Sequence, residues 1–215
     1  MSSTDDLAPG PAPGPGIDPA LMDDGQRVAR AATGDLWVFG YGSLMWRPGF
    51  PFVEMVPALL RGWHRDLCVT SIRYRGTPDA PGLVMGLERG GSCRGRAYRV
   101  AAADRLAALD YLDGRELATR AYRTRFLALT LADGRRVSAY GYVTDPDHPQ
   151  YAGALTRQER IALVLQGRGA EGPCRDYLAN TVAHLDALGI RDGVMHALLA
   201  AVDAAAVPRK ETSAP

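Results

Sequence analysis

Leu36-Trp37-Val38-Phe39-Gly40-Tyr41-Gly42-Ser43-Leu44 is the stretch whose reading decides the fold. Its opening residues are apolar and rich in β-formers, the run is too short for a helix, and it ends on glycine. This is a buried strand opening into a tight turn at residues 40–43. Two glycines around a tyrosine let the backbone turn sharply and present consecutive N–H groups outward. Such a concavity suits a carboxylate, a phosphate or a developing oxyanion. A plain tight turn, with glycines that only relieve steric strain, has the same spacing. The run lacks both the Gly-Lys-Ser/Thr of a Walker loop and G-x-G-x-x-G, so nucleotide binding is not indicated.

Working outward toward the C-terminus, residues 53–63 and 65–72 read as two further strands. Residues 82–87 and 94–100 read as two more, divided by Gly90-Gly91. Residues 102–116 form the first clear helical pattern, with Leu106, Leu109 and Leu112 at three-residue spacing. Strand patterns over 122–131 and 136–144 flank Asp133-Gly134, a strong hairpin signal. Thr156-x-x-Glu159 is a capping box in front of a helix over 160–165. Pro173 suits a helical first turn, Gly189 is a natural residue just past a helix end, and a last helix spans 192–205. Clustered strands followed by helices predict an α+β fold: a mostly antiparallel sheet or small β-barrel flanked by helices, with a helical C-terminal region.

Toward the N-terminus, residues 1–33 carry acids, five prolines before residue 20 and little to bury. They read as a disordered Pro/Gly-rich leader whose last part, 20–33, allows a short helix. The folded domain is expected over 34–207 and a flexible tail over 208–215.

The composition is that of a soluble globular domain: 215 residues, 47% hydrophobic, 23% charged, formal net charge +1. This balance implies neither a nucleic-acid nor a membrane partner. No signal peptide and no apolar run near the roughly 20 residues of a membrane span is present, so the expected compartment is the cytoplasm. Lys210 is the only lysine. Any anion site must therefore be built from arginine, histidine or backbone amides. Cys68, Cys93 and Cys174 lie far apart, and His64, His148, His184 and His196 form no ligand motif. Neither a disulfide framework nor a metal site is expected.

The stretch from Trp37 through Gly40-Tyr41-Gly42-Ser43 to Trp46-Arg47-Pro48-Gly49-Phe50 resembles the opening signature of the ChaC-type γ-glutamylcyclotransferases. Further blocks follow in order: 71–78 with 81–87, 90–99, 109–116 ending in an Arg-Glu pair, 139–143 through 151–153, and 172–178. The resemblance spans about residues 36–205. It implies the γ-glutamylcyclotransferase-like fold and the conversion of glutathione to 5-oxoproline and cysteinylglycine, with no cofactor. It implies Glu116 as catalytic base, and Val38, Phe39, Gly40, Tyr41, Gly42, Ser43 and Leu44 as the loop holding the γ-glutamyl group. It further places Tyr142 toward the substrate, where a buried strand tyrosine is the plain alternative. From its own chemistry, Arg75 is a candidate clamp for a substrate carboxylate or an ordinary surface arginine. Asp110 and Asp113 are the rival bases. Ser43 has no identifiable His or Asp partner, which argues against a serine hydrolase. Between Glu116 and Tyr122, where many relatives carry glycine, this chain has Arg120-Ala121. Two other readings keep this framework: a cyclotransferase for other γ-glutamyl amino acids or amines, and a non-catalytic γ-glutamyl-binding protein.

Overall fold

The structure, a computed structural model, describes residues 19–206. These fall into two compact units. One holds the chain up to Arg65 together with Gly86–Pro149, the other Asp66–Met85 together with the chain from Gln150 onward.

The first unit is built on a closed barrel. Its strands are β1 (Leu36–Gly40), β2 (Glu54–Ser71), β3 (Gly82–Val100), β4 (Tyr122–Leu131) and β5 (Arg136–Thr144), ordered β1-β3-β2-β4-β5 around the wall. Antiparallel pairing joins β1 to β3 from Leu36↔Val100 to Gly40↔Arg96. It also joins β4 to β5 across the Asp133-Gly134 turn, where Gly134 has φ +89°. A short parallel pairing of β1 with β5, Trp37↔Ala139 and Val38↔Tyr140, closes the barrel. The fold is the predicted α+β arrangement of a small, mostly antiparallel barrel flanked by helices.

Two strand assignments are corrected. Residues 54–71 are one strand, and so are 82–100; both β2 and β3 run on into the second unit. Gly62 (φ +79°), Gly90 (φ +100°) and Gly91 (φ +65°) adopt left-handed backbone inside the strands instead of ending them. Glycine at such points is typical of a bulge, which bends a strand without breaking its pairing.

Helix α1 (Asp24–Ala31) opens with a reciprocal capping box between Asp23 and Gln26. It falls inside the stretch read as leader. Ala29 is fully buried, and Gly25 lies so close to β4 that a Cβ there would sit 2.3 Å from Thr124 Oγ1. Residues 24–31 therefore belong to the folded body; residues 1–18 and the predicted tail lie outside the described residues. Helix α2 (Arg105–Glu116) buries Ala108, Leu109 and Leu112 in a cluster with Leu36, Val38, Tyr98, Val100, Tyr140 and Tyr142. Each fully buried leucine contributes about 1.5–3 kcal/mol. Leu106, placed on the apolar stripe by its spacing, is 51% exposed, because the buried face runs through 105, 108, 109 and 112.

The second unit contains α3 (Arg157–Gln166), α4 (Cys174–Ala187) and α5 (Gly193–Ala206), with two-residue strands β6 (Arg168–Gly169) and β7 (Gly172–Pro173) between the first two helices. The Thr156/Glu159 capping box is present, and Gly189 has φ +67° just past α4. Val164, Leu178, Leu185, Met195 and Val202 form the buried faces. Among the described residues, no helix is long and apolar enough to cross a membrane.

Candidate active site

The last turn of α2 carries three polar residues with distinct surroundings. Glu116 is its final residue, with 23% of its side chain exposed and its Oε1 3.1 Å from Arg115 Nε. Burial pushes its carboxyl above the ordinary value of 4.5, and the Arg115 guanidinium opposes part of that rise. The C-terminal end of a helix also disfavours added negative charge. The outcome is a carboxyl that is reachable from solvent yet prone to hold a proton, as a proton-transfer group requires.

Arg115 does more than pair with its neighbour. Its Nη2 donates to Ser43 Oγ at 2.6 Å, and its Nη1 donates to the Arg47 carbonyl at 2.9 Å and to the Tyr111 hydroxyl at 3.3 Å. One planar fork thus ties the Glu116 end of α2 to the turn that follows β1. Tyr111 in turn seats on Gly49, where φ is +74° and a Cβ would lie 2.0 Å from the tyrosine oxygen. Any Cβ there would have to displace the Tyr111 ring and would be strained by the positive φ.

The turn itself is held through its carbonyls. Arg65, 1% exposed, donates from Nε to the Tyr41 carbonyl at 2.5 Å. The Tyr98 hydroxyl donates to the Leu44 carbonyl at 2.8 Å, and Arg96 Nη1 to the Met45 carbonyl at 2.7 Å. Met45 N–H bonds back to the Gly42 carbonyl at 2.9 Å, forming the short 3₁₀ turn Ser43–Met45. Val38, Phe39, Tyr41 and Leu44 are buried beneath it. Gly40 and Gly95 allow the close approach: a Cβ on Gly95 would lie 2.3 Å from the Gly40 carbonyl. With this many carbonyls fixed from the barrel side, the backbone of residues 40–45 is set before any ligand arrives.

Asp113, one helical turn before Glu116, has no exposed side-chain surface. It accepts from the hydroxyls of Tyr140 (2.7 Å) and Tyr142 (2.8 Å), from Gln26 Nε2 (3.0 Å) and from Arg30 Nη2 (3.2 Å). Four donors fill the acceptor capacity of a carboxylate. Asp110 is paired with Arg30 at 2.7 Å. Both rivals are thus engaged by Arg30, from the N-terminal helix, whereas the Glu116 carboxylate pairs with its own neighbour Arg115. Tyr142 is 2% exposed, and its hydroxyl is pushed far up by burial, by Tyr140 and by Asp113, so it is a fixed neutral donor.

Of the seven loop residues, Ser43 is the one bonded to Arg115 and through it to the Glu116 end of α2. Val38, Phe39, Tyr41 and Leu44 are buried, and Tyr142 is joined to α2 through Asp113. Arg75 belongs to the second unit, where it bonds to the Glu171 carbonyl and carboxylate and lies over the Tyr177 ring at 5.1 Å. From the sequence, Asp113 stands only as a rival base and Arg115 only as half of the Arg-Glu pair, and neither Arg65 nor Arg96 is singled out. Two signals were available: Arg115 stands four residues after Tyr111 on one helix face, and Asp113 three before Glu116. Among the described residues, no group of three or more His, Cys, Asp or Glu is placed to hold a metal.

The ChaC-like protein family model matches residues 36–205. The chain belongs to this family. It is similar to the glutathione-specific γ-glutamylcyclotransferase of Escherichia coli K12, with 36% identity over 175 residues covering 81% of this chain and 76% of that protein. It is similar also to human glutathione-specific γ-glutamylcyclotransferase 1, with 32% identity covering 79% and 78%. Among solved structures, the yeast γ-glutamyl cyclotransferase specific to glutathione superposes with a TM-score of 0.72 at 22% identity, covering 80% of this chain and 96% of that one. The barrel-and-helix fold of this ChaC-like chain is thus the γ-glutamylcyclotransferase fold.

Proposed function

We propose that this ChaC-like chain is a glutathione-specific γ-glutamylcyclotransferase with Glu116 as its general base. One observation carries the reading: a partly buried carboxyl with a raised pKa, fastened by Arg115 to the Ser43 turn. The names of its relatives support glutathione as substrate.

The reaction is internal to the γ-glutamyl group. Its α-ammonium gives a proton to Glu116, and the freed amine attacks the γ-carbonyl carbon. A C–N bond forms, closing a five-membered ring, and the carbonyl oxygen gains negative charge. The amides of residues 42–44 take that charge, on a backbone already held rigid by Arg65, Tyr98 and Arg96. The tetrahedral intermediate collapses with cleavage of the bond to the cysteinyl nitrogen, which receives the proton that Glu116 returns. The ring nitrogen then gives up its second proton by the same carboxylate, leaving a neutral lactam and the ammonium of cysteinylglycine. The products are 5-oxoproline and cysteinylglycine, and no water is consumed. Holding nucleophile and carbonyl in one folded conformer supplies on the order of 7–11 kcal/mol. Val38, Phe39, Gly40 and Tyr41 shape the floor under the γ-glutamyl group, and Tyr142 fixes the helix turn beside it. Three reduced, buried cysteines agree with a cytoplasmic setting, and the substrate is the only partner the reading requires.

The test is to incubate the protein with glutathione and, separately, with γ-glutamylalanine, following 5-oxoproline by mass spectrometry beside Glu116→Gln. The expected result is 5-oxoproline from glutathione alone, abolished or strongly reduced by the substitution. Turnover that survives Glu116→Gln refutes the base; turnover of γ-glutamylalanine alone refutes the substrate.

A further inference from the structure

The segment from Pro19 to Ala31 precedes the residues matched by the family, 36–205, yet four of its groups reach the end of α2 or the strand beside it. Gln26 and Arg30 supply two of the four donors to buried Asp113, and Arg30 also pairs with Asp110. The Asp23 carboxylate accepts from the Thr124 amide at 2.7 Å and from its hydroxyl. The Leu21 carbonyl accepts from Arg120 Nη1 at 2.7 Å. Arg120 is the sole described non-glycine residue with positive φ, at +58°. Left-handed backbone is unfavourable for an arginine and persists only where surrounding contacts over-determine it. Here it aims the side chain of the Glu116–Tyr122 connection at the N-terminal segment. The bonds therefore converge on both sides of Glu116: on Asp113 and Asp110 before it, and on Arg120 and Thr124 after it.

We infer that residues 19–31 are a clamp that sets the position of the Glu116 end of α2, with Gln26, Arg30 and Arg120 as positioning residues. The inference rests on Glu116 being the catalytic base. Asp113 passes the constraint on, because it also binds Tyr142 and lies one turn from Glu116. Without Gln26 and Arg30 it would be a buried carboxylate with two donors lost, and the last turn of α2 would shift to find water. A displacement near 1 Å at a catalytic group can cost about 100-fold in rate.

The experiment uses the full chain with Arg30→Met, Gln26→Leu and Arg120→Gly, Arg30→Lys as rescue, and Arg27→Ala as control. Arg27 pairs only with exposed Asp24. Steady-state kinetics with glutathione are measured well below each variant's Tm, and hydrogen exchange is followed over residues 113–122. The expected result is a kcat lowered about 10–100-fold in Arg30→Met with KM within twofold. Arg30→Lys regains a large part of it, exchange over 113–122 is faster in all three variants, and Arg27→Ala behaves as the parent. A segment that only added stability would lower Tm and leave kcat and local exchange unchanged, which overturns the clamp. If the parent chain does not act on glutathione, the functional reading fails, and the exchange data alone decide the clamp.

Discussion

Glu116 is governed by opposing influences that single substitutions separate. Burial at the end of α2 raises its pKa, and Arg115 at 3.1 Å lowers it. The base must be ionised to accept the substrate's proton, so kcat/KM is expected to rise with pH through the raised pKa. The Tyr142 hydroxyl, also close to Glu116, stays neutral across this range. Arg115→Met removes the opposing charge and should move that acid limb to higher pH while also slackening the Ser43 turn. A limb that stays in place in a pH–rate profile would show that another group titrates. The sign for stability is the reverse of an ion-paired acid. With a folded pKa above the unfolded one, the contribution of Glu116 is complete below the unfolded value near 4.5 and is lost as pH rises through the folded pKa. Glu116→Gln should accordingly leave Tm at pH 7 unchanged or higher while kcat falls by about 10²–10⁴-fold. A fall in Tm together with kcat would instead mark Glu116 as a structural residue.

Among the elements, those written locally were legible and those made by long-range contact were not. β1, the β4–β5 hairpin and α3 each carry their own signal: a glycine-ended apolar run, Asp133-Gly134, and the Thr156/Glu159 box. α1 carries one too, since Asp23-x-x-Gln26 is a capping box. Its eight residues are too few to stand alone, and the bonds that stabilise it are to Asp113 and Thr124, distant in sequence. The parallel β1–β5 pairing that closes the barrel has no local signature either. Two left-handed glycines offer a direct comparison. Gly49 and Gly62 share left-handed backbone, at φ +74° and +79°, but a Cβ on Gly62 meets nothing within 4 Å, whereas on Gly49 it meets Tyr111 at 2.0 Å. Gly62→Ala should cost only backbone strain, about 1 kcal/mol. Gly49→Ala should cost at least about 2 kcal/mol and lower kcat, because Tyr111 contacts Arg115. Denaturant midpoints for the pair test this; equal losses would mean that Tyr111 yields freely and does not brace the site.

At the scale of the whole chain, the candidate base and its turn lie in one unit and Arg75 in the other, which bears on what Arg75 can be asked to do. The sequence allowed it to clamp a substrate carboxylate. In the structure both ends of its fork are engaged with Glu171, and the guanidinium lies over Tyr177. Around it the chain is tightly fitted: a Cβ on Gly82 would lie 2.1 Å from the Arg75 carbonyl, and one on Gly169 would lie 2.5 Å from the Tyr74 carbonyl carbon. The Ala170 and Glu171 amides bond to the Arg73 and Tyr74 carbonyls at 2.9 Å each. Arg75 is therefore the pin that fixes the segment after β2 to the β6–β7 turn. The second unit relies on a similar device at Arg160, which joins Asp66 to the Gly153, Leu155 and Leu67 carbonyls. Breaking that nearly buried pair leaves Asp66 uncompensated and should cost about 3–5 kcal/mol. Arg75→Met, at a more open pair, should lower Tm by a smaller amount and leave KM for glutathione within twofold. A clamp on the substrate predicts the opposite division, KM raised about tenfold or more with Tm intact. Measuring both quantities on the one variant assigns Arg75 to the binding of substrate or to the bracing of the second unit.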